Sequence, residues 1–175
     1  MQPNRYHGVQ YGNAMHSIMQ HLHFESCDSK LTIQQDISRL VSAGLITPQQ
    51  AEIVNVDAIY RFFQTDIGSR LRNCRDVLRE FKFSILEDAS IYYSDVHDEK
   101  ILLQGVIDCA LIESDGITVI DFKTDYITEN NIDDKVAQYT SQVTAYANAI
   151  SRIYQKPIIS AFLYFFSTEQ LIAIM

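Results

Sequence analysis

The chain has 175 residues, 47% of them hydrophobic, which fits one globular domain with a substantial core. Its 22 acidic against 14 basic residues give a formal charge of −8, which weighs against a protein that grips nucleic acid through phosphate neutralisation alone. No cationic leader precedes an apolar stretch, no apolar run approaches the ~18–20 residues that cross a bilayer, and the cysteines (Cys27, Cys74, Cys109) are odd in number and far apart, so a cytoplasmic protein with reduced thiols is expected.

In chain order, Met15, Ile18, Met19 and Leu22 fall at helical spacing within Gly12 to Phe24, with His16 beside that stripe. Leu31 to Ala43 repeats the pattern, and Gly44 is a natural stop. Thr47-Pro48 has the cap-then-proline order of a helix start, and Asp57 and Asp66 read as caps of two further short helices. Basic charge gathers next in Arg70, Arg72, Arg75, Arg79 and Lys82. Arg72, Arg75 and Arg79 would share a face if the helix ran that far, as a solvated face or as a track for a nucleic-acid backbone. Strands then take over: Leu78 to Leu86, a short edge segment from Ser90 to Ser94, and an apolar, β-branched run from Leu102 to Phe122 broken at Glu113-Ser114-Asp115-Gly116. Ile132 to Tyr154 reads as a long helix, Pro157 to Phe166 as a strand, and Ser167-Thr168-Glu169-Gln170 as the cap of a last short helix. The fold expected is α/β, a mixed sheet flanked by helices, as a single domain with a helical part over about 1–76 and a sheet-centred part over about 77–175.

The chemistry lies in the broken run. A hairpin turning on Asp115-Gly116 sets Ala110 opposite Asp121 and Asp108 opposite Lys123. Strict alternation then puts Asp108, Asp121 and Lys123 on one face, the two acids roughly 5–8 Å apart as diagonal neighbours. Two carboxylates side by side are unfavourable unless a proton or a cation neutralises them, and magnesium is commonly held by one or two carboxylates with phosphate oxygens completing its shell. Lys123 would act on the attacking water or on the phosphate. Alone, an Asp-x-Lys also fits an ordinary solvated strand face.

Asp108, Asp121-Phe122-Lys123, Gly12-x-x-x-His16 and Gln142-x-x-x-Tyr146 together make a fuller pattern. It resembles the PD-(D/E)XK nuclease superfamily with its restriction-endonuclease-like core, here carrying an N-terminal helical insertion. More narrowly it is similar to the RecB-like branch, and from His7 to Phe166 to the nuclease domain of the AddA subunit of AddAB helicase-nucleases. The resemblance implies a metal-dependent DNA exonuclease in double-strand break repair and recombination, using Mg²⁺ with Mn²⁺ as a substitute. Its metal ligands would be His16, Asp108, Asp121 and the carbonyl of Phe122. Gln142 and Tyr146 would lie near the substrate backbone, and Tyr139, on the same helical stripe, could stack on bases. Glu80 resembles a supporting acid on the first core strand, while Asp125 matches no assigned position. The implied partners are single-stranded DNA, a helicase motor and an AddB-like subunit. No Gly-x-x-x-x-Gly-Lys phosphate loop occurs, and the cysteines lack the number and spacing of the iron-sulfur cluster that some relatives carry, so none is expected. The rival reading is a non-catalytic module of the same fold that guides DNA or docks on a partner.

Overall fold

The computed structural model describes residues 8–96 and 98–175; His7, where the AddA resemblance starts, lies outside them. Five helices come first: α1 (Val9–His21), α2 (Lys30–Ser42), α3 (Pro48–Ile53), α4 (Val56–Gln64) and α5 (Asp66–Asn73). The sheet follows as β1 (Val77–Asp88), β2 (Lys100–Ile112) and β3 (Ile117–Lys123), then α6 (Ile132–Tyr154), β4 (Ile158–Phe165) and β5 (Gln170–Ala173). The strands lie in the order β1-β2-β3-β4-β5, antiparallel except for the β3–β4 pair, which is parallel and joined through α6. This five-stranded mixed sheet flanked by helices is the α/β architecture expected. Among the described residues no helix is long and apolar enough to cross a membrane.

The N-terminal helices cover one face of the sheet and α6 the other. Met15, Ile18, Leu40, Phe62 and Phe63 pack with Cys109, Ile120, Phe122 and Tyr164, whereas Val143, Ala147 and Ile150 pack with Ala110, Val119, Ala161 and Leu163. β3 is therefore covered on both sides, and Ile117 through Phe122 are all buried. Phe122 stands between Phe62 and Phe166, at 5.2 and 5.5 Å between ring centroids. It locks the end of β3 into the helical layer while its neighbours Asp121 and Lys123 are available for chemistry.

Local chemistry accounts for most boundaries. Thr47 caps α3 in a reciprocal box with Gln50, and Gly44 takes φ +70 to close α2, a conformation a residue with Cβ enters at a cost. Asn55 caps α4 and Thr65 caps α5, rather than Asp57 and Asp66, because each offers a side-chain oxygen to the N–H three residues on. Helix α5 stops at Asn73, so Arg75 and Arg79 leave the helical face on which Arg72 lies. The expected edge strand at Ser90–Ser94 is a 3-10 turn over Ala89–Ile91. The expected final helix is β5, a short strand whose pairing with β4 satisfies backbone groups that a helix would have left unpaired at the sheet edge.

The hairpin differs from expectation by two residues. Ile112 pairs with Ile117 across a four-residue turn, and Glu113 N–H donates to Gly116 C=O at 2.9 Å. Gly116 lies against the Pro157 carbonyl, where a Cβ would come within 2.5 Å, and Ile117 N–H donates to that same carbonyl. Contact with the start of β4 thus sets where β3 begins. Ala110 faces Val119, not Asp121, and the projected register brings Asp108 opposite Asp121, not Lys123. An even shift keeps the faces.

Candidate metal centre

Strand alternation fails at the position that matters. Leu78 and Ala110 pack toward α6, yet so do Phe81 and Ile107, so both β1 and β2 exchange faces across Glu80 and Asp108. Those two residues drop out of the ladder, and Glu80 takes φ +48, a left-handed conformation costing an L residue about 1–2 kcal/mol. The consequence is geometric. Asp108 and Glu80 both reach the His16 ring of α1, with Nδ1 3.5 Å from Asp108 Oδ1 and 3.6 Å from Glu80 Oε1. One potential ligand atom from each of the three lies within 4.8 Å of the other two.

Helix α1 reaches this position because Gly12 lets it approach the end of β3. A Cβ there would lie 2.9 Å from Thr124 Oγ1, on a β-branched side chain with little room to turn. His16, one turn further along, is thereby brought to the acids. Burial works to lower the His16 pKa, but the hydrogen bond and charge of Asp108, with the charges of Glu80 and Asp121, raise it overall. Burial, then the charge of Asp108, raises the Glu80 carboxyl.

Beyond Cys109–Ile120 the β2–β3 ladder gives way to a side chain: Asp108 Oδ2 accepts from Phe122 N–H at 2.8 Å. Asp121 lies on the other side of that contact, 4% exposed. Its Oδ2 is 2.7 Å from Lys123 Nζ, an ion pair without hydrogen-bond alignment, so this buried oxygen has no aligned donor. Burial, followed by repulsion from Asp108, pushes the Asp121 carboxyl up to about 6 against the pull of Lys123. A buried oxygen lacking a donor and two acids raised in pKa are what a cation would relieve, and the donor set of carboxylates and one imidazole suits a hard or borderline divalent ion.

Lys123 is held from the α6 side. Its ammonium stands 4.0 Å from the centroid of the Tyr139 ring and 3.5 Å from Gln142 Oε1, and Gln142 Nε2 donates to Tyr146 OH at 3.1 Å. Tyr146 has its place because of Gly105, where a Cβ would fall 2.6 Å from the ring, and it meets Phe83 edge-on. Gly105 is thus a supporting residue that the sequence pattern contained without a role. Asp125 is another: it accepts from Tyr139 OH and from Lys135 Nζ, both at 2.9 Å, which holds the ring under Lys123. Burial and that hydrogen bond raise the Tyr139 phenol to about 12.

This arrangement coincides with a known sequence family, since the pattern of the PD-(D/E)XK nuclease superfamily matches residues 3–172. The chain belongs to that superfamily. As a PD-(D/E)XK chain it is also similar to curated proteins named as the AddA-type component of an ATP-dependent helicase/nuclease. The one from Oceanobacillus iheyensis is 38% identical over 170 residues, covering 93% of this chain and 14% of the relative. The Clostridium acetobutylicum protein matches at 38% over the same shares, and one from Clostridium botulinum at 34%, covering 93% of this chain and 13% of the relative. This PD-(D/E)XK chain therefore spans about one seventh of the length of those relatives, and its match lies in their nuclease region. Superfamily membership makes a nuclease role the natural function of the cluster, and divalent metals are the general cofactors of such nucleases.

Proposed function

We propose that the chain is a single metal-dependent deoxyribonuclease domain, its helical and sheet-centred parts acting together, that hydrolyses phosphodiester bonds of single-stranded DNA. The observation that carries this reading is the buried Asp121 carboxylate, pushed up by Asp108 and lacking an aligned donor, with the Lys123 ammonium 2.7 Å away. His16, Asp108, Asp121 and the Phe122 carbonyl would hold Mg²⁺ or Mn²⁺, with Glu80 in support. The bound ion would lower the pKa of a water and neutralise charge on the phosphate. Lys123 contributes a fixed positive charge to the water or the phosphoryl oxygens, and Gln142 and Tyr139 keep its ammonium from turning away. Gln142 and Tyr146 border the strand, and Tyr139 supplies an aromatic edge beside it.

The relatives are named as components of ATP-dependent helicase/nucleases, which supports delivery of DNA by a helicase motor, an AddB-like partner, a cytoplasmic setting and a place in double-strand break repair and recombination. The net charge of −8 agrees with a domain that depends on such delivery. Labelled single- and double-stranded DNA incubated with the purified chain, with Mg²⁺ and with chelator, provides the test. Cleavage of single strands that chelator and Asp121→Ala both abolish is expected; strand binding without cleavage at any metal concentration would return the non-catalytic alternative.

A further inference from the structure

Every described arginine outside one cleft is matched to a carboxylate: Arg39 to Asp36, Arg61 to Glu169, Arg70 to Glu113 and Arg152 to Glu87. The three that are not, Arg72, Arg75 and Arg79, all line the same cavity of about 320 Å³, with Phe24, Glu25 and Asn73. They arrive from three places, the last turn of α5, the loop after it and β1. Arg72 and Arg75 form no hydrogen bond or ion pair among the described residues, and Arg72 Nε is buried without a partner. Arg79 donates to the Leu22 carbonyl at 2.5 Å and stacks over Phe24 at 4.5 Å, which fixes its guanidinium without neutralising it. Glu25, the acid on the rim, pairs with none of them. Three like charges left unbalanced on a chain of net −8 repel one another and attract an anion, and guanidinium groups match phosphate oxygens in geometry as well as in charge.

We infer that this cleft binds a backbone phosphate of the nucleic-acid strand, away from the metal centre. Arg79 is next to Glu80 in β1, and α1 separates the sites: His16 faces the acids, while Leu22, six residues on or about 9 Å along the axis, holds Arg79. A strand of a few nucleotides spans both. The inference rests on the nuclease reading for the identity of the strand, and on the unmatched arginines for the site.

The test compares wild type with Arg72→Ala/Arg75→Ala, leaving Arg79 to brace α1. Binding of a labelled single-stranded oligonucleotide is measured in chelator across a salt series, and hydrolysis of bis-p-nitrophenyl phosphate with Mn²⁺ reports the metal centre alone. The double variant is expected to bind roughly tenfold or more weakly, with a salt slope smaller by about 2, one per lost phosphate contact, and to hydrolyse the small ester like wild type. Arg72→Lys/Arg75→Lys should recover most of the slope. Unchanged affinity and slope in the alanine variant would overturn the cleft assignment and leave the catalytic reading standing. Loss of strand binding in the variant, with no ester hydrolysis by either protein, would sink the catalytic reading and keep the cleft. Inorganic phosphate separates a strand site from a site for a free anion: if phosphate at low millimolar concentration raises the melting temperature of wild type and not of the variant, the cleft serves the free ion and the strand assignment falls. Should the double variant melt early, Arg75→Ala, at an exposed position, carries the same comparison at half the slope change.

Discussion

Two regions of this molecule gather like charges, and they do so in opposite dielectric surroundings. Around Asp108 and Asp121 the charges are negative and shielded from water, Asp121 being nearly inaccessible; around Arg72, Arg75 and Arg79 they are positive and half-open. Buried repulsion cannot be relieved by mobile salt, so it is expressed as protonation and as demand for a fixed cation. Open repulsion is screened, so it is expressed as salt dependence. The acid centre should therefore respond to pH and metal, and the arginine cleft to ionic strength.

The largest expected effect is at the acids. Asp121→Asn should reduce cleavage by several orders of magnitude while raising the melting temperature of the metal-free protein, because the ionised carboxylate is unfavourable there even with Lys123 beside it. Asp108→Ala should be equally inactive and less stable by about 1–3 kcal/mol, since the Phe122 N–H loses its acceptor. Calorimetry on both variants decides; identical shifts in melting temperature would mean that the two acids are not distinguished by burial and hydrogen bonding as described.

Lys123→Ala comes next. Turnover should fall by about 10²–10⁴-fold with Mn²⁺ binding retained, as measured by titration calorimetry beside a cleavage assay. Loss of metal binding would make the lysine part of the structural frame of the centre.

Smaller is the effect of filling the glycine notches. Gly105→Ala places a methyl against the Tyr146 ring and Gly12→Ala one against Thr124, so each should lower stability by about 1–3 kcal/mol. Gly105→Ala should slow cleavage by disturbing the Tyr146–Gln142–Lys123 chain with metal affinity kept, whereas Gly12→Ala should weaken metal affinity by moving His16. Variants with these two signatures exchanged would break the division of labour between α1 and α6.

The pH effect is the smallest. The folded-state pKa of Asp121 lies above its unfolded value of 3.8, at about 6, so the folded protein takes up the proton first. Without metal, its unfavourable contribution is full above pH 6 and fades as pH falls toward 4, a gain on the order of 2 kcal/mol. His16 has a raised pKa too, and its stabilising contribution is present below 6.5 and lost as pH rises through the folded value. Both favour the acid side, and Mg²⁺ should flatten the profile by competing with the protons. Melting curves from pH 5 to 8 with and without Mg²⁺ check this; a metal-free profile that rises with pH would contradict it.

The sequence carried the architecture well where local chemistry decides. Helices with an apolar stripe and a cap were legible, as was α6 to the residue, because periodicity and capping are encoded within a few positions. Where a distant contact decides, it was not. Gly116 meeting Pro157 reset the hairpin register, and β5 exists because β4 offers it an edge. The residues of the centre could be named from their motifs, but the way Glu80 joins His16 depends on a face change in two strands that no alternation rule anticipates. Asp125 and Gly105 stood in plain view, two residues from Lys123 and three from Asp108. Their roles required knowing where the rings of α6 lie.

Covering β3 on both faces has a consequence for how the protein fails. Amides of a strand sealed between two layers exchange with solvent only when the whole domain opens, so Asp121 and Lys123 ride on the slowest-exchanging segment of the chain. Helix α1, with its exposed first turn, frays by smaller openings. On gentle heating the imidazole should therefore part from the acids while the Asp-x-Lys pair still holds its shape, and inactivation would begin below the melting point as a loss of grip on metal, reversible on cooling.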